Sequence, residues 1–120
     1  PAMNLWEGSL EGGGIRFGRE TYFALPDRLT ARAAQAAATL GVRPEHFELV
    51  DEADALAMVE VDLVEALGAD TLVHGHAGDM ALTLRLPGSH PVTEGDRLPV
   101  AVAPEHFHLF DPATGRRVGW

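Results

Sequence analysis

A chain of 120 residues is long enough to bury one core, and a single domain over residues 1–120 is expected. It carries 18 acidic residues against nine basic ones, all nine of them arginine. Without lysine there is no P-loop and no Schiff-base chemistry, and the net charge of -9 argues against nucleic acid as a partner. Cysteine is absent, which excludes a disulfide framework, thiol chemistry and cysteine-held zinc, and no apolar run approaches the length of a membrane span.

In chain order, Leu5 to Leu10 reads as a short strand, and Glu11–Gly14 supplies the left-handed positions of a turn. Ile15, Phe17, Thr21, Phe23 and Leu25 share one strand face by period-2 spacing. Pro26 to Gly41 is predicted as one helix: Asp27 caps it, alanine dominates it, and Leu29, Ala33, Ala36 and Leu40 recur at helical spacing. Arg28, Arg32 and Gln35 form its polar face, too little for a membrane-surface helix. Tertiary context can instead draw Ala38 to Val42 into a strand.

Everything from Ala57 onward is strand. Ala57, Val59, Val61 and Leu63 alternate with polar neighbours up to a bulge near Val64. Thr71–Ala77 follows, then Leu82, Leu84 and Leu86, then a loop with two prolines. Leu98, Val100 and Val102 alternate again, and Pro99 points to an edge or a bulge. Val118 makes a last short pairing. Many short strands at this spacing indicate a mainly β fold, a small barrel or sandwich.

Pro-Glu-His-Phe occurs twice, at Pro44, Glu45, His46, Phe47 and at Pro104, Glu105, His106, Phe107. Each copy follows an apolar strand, and proline stops the ladder because it has no N–H. The expected geometry is strand, one turn, short strand, with Phe returning to the core. Glu-His neighbours diverge and no nucleophile accompanies them, so no catalytic residue is expected. His74 with His76, and His106 with His108, have strand spacing that would suit zinc, yet nothing in the sequence brings the pairs together. No metal or cofactor is expected in this chain. Arg43, Arg85 or the Gly12–Gly14 turn would contact an anion if the barrel sensed small oxyanions.

"GVRPEHFELV", "VDLVEALGADTLVHGHAG" and "AVAPEHFHLFDPATGRRV", with "PAMNLWEGSL" at the start, resemble the C-terminal domain of ATP-binding subunits of ABC importers for sugars and glycerol 3-phosphate. That resemblance implies an OB-fold-like TOBE barrel (the molybdate-sensing MOP barrels are related) with one short helix, regulatory and dimer-supporting rather than enzymatic. It implies that the chain is a fragment, that ATP and Mg belong to an ATPase domain upstream, and that the full subunit hydrolyses ATP to drive uptake. The implied partners are that domain, a second subunit copy, permease subunits and a regulatory protein, on the cytoplasmic face of the plasma membrane. Arg43, Pro44, Glu45 and His46 match the family motif, whose role the resemblance makes structural; the second copy has Ala103 in place of Arg.

Overall fold

The first strand, β1 (Asn4–Glu11), buries Trp6 on one face and exposes Leu5 and Glu7 on the other. Gly12 and Gly13, both at positive φ, turn the chain into β2 (Gly14–Phe17). The structure, a computed structural model, describes residues 2–31 and 36–118. A second turn, at Gly18 (φ 58°), leads into β3 (Thr21–Ala24), so the run of one-face residues from Ile15 to Phe23 is a hairpin rather than a single strand. Period-2 spacing survives a tight hairpin because both arms face the same core: Ile15, Phe17 and Phe23 are all buried.

The long helix is not formed. α1 covers only Asp27–Thr30, anchored by the buried Leu29, and β4 runs over Ala37–Val42. Ala33, Arg32 and Gln35 lie outside the described residues. Helix propensity is overridden by pairing. β4 sits between β1 and a later strand, β10 (His108–Phe110), so a helix would leave two ladders without partners. Its core face is Ala38, Leu40 and Val42, each fully buried, at the period of a strand.

The long antiparallel strands are β6 (Ala57–Ala66), β7 (Asp70–Ala77), β8 (Met80–Pro87) and β9 (Arg97–Val102). The bulge expected near Val64 falls between Val61 and Leu63, and it turns Leu63 out to solvent at 49 % exposure. Opposite it, Gly75 is required: a Cβ there would stand 2.4 Å from the Glu60 carbonyl oxygen. With β5 (Phe47–Leu49) these strands form a sheet ordered β5-β9-β6-β7-β8. Pro99 is therefore in an inner strand. It is tolerated because the β5 ladder reaches only Val100, after which the Pro99 carbonyl accepts from Val50 N–H. A terminal strand, β11 (Arg117–Val118), completes the other sheet, ordered β11-β10-β4-β1-β2-β3.

The two curled sheets enclose one core, in an OB-fold-like, mainly β architecture. Trp6 stands edge-on to Phe17, Phe23 and Phe47, with centroids 6.2–6.4 Å apart. The open edge of β8 is closed by side chains of β1. Asn4 accepts from Thr83 N–H at 2.8 Å and donates to Thr83 C=O at 2.9 Å, as a neighbouring strand would, and Trp6 Nε1 donates to Ala81 C=O at 2.7 Å. Asn4 also reaches the Val42 carbonyl at 3.1 Å, tying the two sheets at one residue.

Candidate functional site

Arg43 and Ala103, each preceding a proline, are extended, with φ, ψ of -72°, 143° and -62°, 142°. Proline then opens a single 3-10 turn, closed by His46 N–H to Arg43 C=O at 3.0 Å and by His106 N–H to Ala103 C=O at 2.9 Å. Phe47 and Phe107 leave the turns with φ, ψ of -80°, 136° and -83°, 133°, and both rings are buried. The two copies are one conformation used twice.

Their connections cross. The first corner takes the chain from β4 to β5, and β5 pairs with β9. The second takes it from β9 to β10, and β10 pairs with β4. Each corner thus delivers its strand to the strand that feeds the other corner, and the turns meet. The His46 and His106 rings stack with centroids 3.7 Å apart and planes 11° apart. Both Nδ1 atoms are buried without a hydrogen-bond partner. The repeat announced two equivalent corners; their contact was not legible, because it depends on pairings between distant strands.

The remaining candidate residues lie apart. Arg43 is exposed, and no ion pair with Glu45 is present among the described residues. Glu45 and Glu105 are exposed, and Glu45 lines a surface cavity with Glu48, Arg85 and His90. Arg85 reaches Asp70 at 3.6 Å. The Gly12–Gly14 turn lies at the far end of β1 from Arg43, since Asn4 pairs with Val42; eight strand residues separate them by roughly 25 Å. Arg43 and the glycine turn therefore do not converge. His74 and His76 sit on β7 against carboxylates: His74–Glu65 at 2.6 Å, His76–Asp62 at 2.8 Å and His76–Glu60 at 3.1 Å. His106 stacks on His46 and His108 contacts Arg117, in the other sheet from His74. Among the described residues no three His, Asp or Glu are grouped to hold a metal ion.

Charge gathers at the crossing. Arg28 donates to the carbonyls of Pro104 at 2.7 Å and Phe107 at 3.2 Å, pinning the second corner to α1. Partial burial, then the positive charges of Arg117, Arg43, His46 and Arg28, hold His108 below its ordinary value of 6.5. On β7, the hydrogen bond to Asp62, with the charges of Asp62 and Glu60, lifts His76 above 6.5.

These shifts oppose each other in stability. As pH falls through 6.5 the unfolded chain protonates His108 more readily than the folded one, so a penalty appears that is absent above 6.5. The folded chain holds the His76 proton more tightly, so its stabilisation is complete below 6.5 and is lost as pH rises through the raised folded value. Between about pH 7.5 and pH 5.5, the urea midpoint of His108→Gln is expected to fall less than that of the native chain, and that of His76→Gln to fall more. An unchanged acid loss in His108→Gln would count against the cationic cluster.

Residues 40–110 match the TOBE domain family, and residues 1–47 the MalK OB fold domain family. The sn-glycerol-3-phosphate import ATP-binding protein UgpC of Burkholderia pseudomallei (strain 1710b) is 43% identical over 124 aligned residues, covering 99% of this chain and 34% of that protein. The Salmonella typhi protein of the same name is 40% identical, covering 98% and 33%. The chain thus spans about a third of the length of these curated relatives. Among solved structures, the cytoplasmic molybdate-binding protein ModG superposes with a TM-score of 0.70 at 15% identity, over 88% of this chain and 94% of that one. This last likeness is one of fold.

Proposed function

From the premise that this chain belongs to the TOBE domain family, we propose that it is the regulatory and dimer-supporting C-terminal domain of an ABC importer ATP-binding subunit. The observation that carries the proposal is the identity of 43% along 99% of the chain to a protein named for sn-glycerol-3-phosphate import. The whole subunit hydrolyses ATP with Mg in a separate ATPase domain and drives uptake of sn-glycerol 3-phosphate or a sugar. Its partners are that ATPase domain, a second copy, permease subunits reached through the ATPase domain, and a regulatory protein. It works on the cytoplasmic face of the membrane. The architecture suits a support role: two sheets tied through crossed corners make a stiff body with no helix long and apolar enough to cross a membrane among the described residues.

The test uses the full-length subunit with and without this segment. Removal is expected to leave nucleotide binding intact while weakening subunit dimerisation, read by sedimentation over a concentration series. Loss of nucleotide binding with dimerisation unchanged would overturn the assignment.

A further inference from the structure

One row of paired residues runs across four strands on the outer face of the β5-β9-β6-β7-β8 sheet. Arg97 on β9 stands opposite Glu60 on β6, Glu60 opposite His76 on β7, and His76 opposite Ala81 on β8. Directly paired residues share a face, with Cβ atoms roughly 4.5–5.5 Å apart, so the Glu60 carboxylate has a basic neighbour on each side. It uses only one of them. Its Oε2 lies 3.1 Å from His76 Nε2. Arg97 is exposed and enters no ion pair or hydrogen bond through its side chain among the described residues.

The bulge brings a second carboxylate to the same imidazole. Asp62 is the inserted residue, between the pairs Val61–Gly75 and Leu63–His74, and its Oδ2 lies 2.8 Å from His76 Nδ1. A carboxylate only accepts, and a neutral imidazole has one N–H, so the two contacts together require the imidazolium. When the proton leaves, one carboxylate loses its donor. The shorter bond, to Asp62, keeps the remaining N–H on Nδ1, and the Nε2 lone pair then faces the Glu60 oxygen. The other groups around the ring offer Glu60 no substitute. His74, two residues along β7, is engaged with Glu65 at 2.6 Å, and β8 presents the uncharged Ala81 and Thr83. Glu7 and Asp79, which line a surface cavity with Asp62, are acidic themselves. The remaining cation in the row is Arg97, for which Glu20, lining a second cavity with it, is the competing carboxylate.

We propose that the proton on His76 operates an ion-pair exchange: with the imidazolium present Glu60 ties β6 to β7, and with the neutral ring Glu60 turns to Arg97 and ties β6 to β9. The crosslink thus passes from one side of the bulged strand to the other. The hydrogen bond to Asp62, with the charges of Asp62 and Glu60, keeps the first arrangement to a higher pH than an ordinary histidine would. The exchange uses only residues of this sheet, so it stands or falls apart from the proposed transport role.

Carbon and nitrogen NMR of this chain between about pH 5.5 and pH 9 tests it, across the range in which a histidine with a raised value changes charge. The Glu60 carboxyl carbon and the Arg97 Nε–H are expected to shift together, at the midpoint of the His76 ring. His76→Gln, whose side chain cannot change charge, is expected to remove both shifts. Arg97→Gln is expected to lower the acid dissociation constant of His76 about twofold, the size of one exposed ion pair, because the neutral state loses its alternative contact. In a Glu60→Gln background the same substitution is expected to leave that constant unchanged. A Glu60 carbon that stays flat while His76 titrates overturns the proposal. An effect of Arg97→Gln that persists in Glu60→Gln also overturns it, in favour of Arg97 acting directly on the ring or through Glu20.

Discussion

Phe47→Ala and Phe107→Ala are each expected to destabilise the domain by about 3–5 kcal/mol, the range for deleting a buried aromatic ring. Both rings are 4 % exposed, and Phe47 stands edge-on to Trp6 at 6.4 Å, so its loss opens a void beside Trp6 at the edge of the aromatic cluster. Phe107 is buried in the segment that Arg28 pins to α1 through the Pro104 and Phe107 carbonyls. The neighbouring histidines behave differently. His46→Ala and His106→Ala remove half-buried rings that bond to nothing through Nδ1, and each is expected to cost about 1 kcal/mol or less. Arg43→Ala is expected to be nearly neutral, because an exposed arginine without a paired carboxylate contributes little. Chemical denaturation of the five variants gives the ranking. Mild phenylalanine variants beside severe histidine variants would mean that the corners are held by polar contacts rather than by the core.

Asn4→Ala is the second large effect, at about 1–3 kcal/mol, because part-buried polar groups left unmatched cost more than the bonds they lose. The substitution removes three hydrogen bonds and strands the Thr83 N–H and C=O at the edge of β8, with the Val42 carbonyl short of one donor. Asn4→Asp is expected to do no better: it keeps the acceptor for Thr83 N–H but sets a carboxylate against two carbonyl oxygens. Trp6→Phe separates the indole's two roles, keeping a ring in the cluster while freeing the Ala81 carbonyl. Amide exchange at Thr83 reports the latch directly. If Thr83 stays protected in Asn4→Ala, the edge is closed by something other than this side chain.

The strands that proved legible were those with a polar face. β7, β8 and the first half of β6 alternate, and alternation survives whatever they pair with. β4 was hidden for the opposite reason. Alanine fills its approach, and only the registry of Ala38, Leu40 and Val42, buried together, marks it as the strand between β1 and β10. Leu63 misled for a third reason: one inserted residue reverses the facing of all that follows, and the bulge at Asp62 precedes it. The corners were visible as turns because proline and the repeated tetrapeptide are local signals. That they touch, and that arginines from α1 and β11 converge on them, depends on pairings between residues about 50 to 70 positions apart, which no local pattern encodes.

The crossed corners also set a schedule for the polypeptide as it leaves the ribosome. β5 cannot dock until β9 has been synthesised, and the β4 edge stays open until β10 follows it. Each closure spans a long loop whose entropy is lost before contact repays it, so both ladders are late events. The hairpins β1–β2–β3 and β6–β7–β8 form early, from neighbours in sequence. The final step is then a mutual exchange, in which two short strands zip onto each other's predecessors at once. A nascent chain halted before Ala103 has every strand of the β5-β9-β6-β7-β8 sheet and leaves the other sheet unfinished, with β4 exposed along one side. That is the species most open to strand pairing with another copy, and the interval before β10 emerges is when it must be kept apart.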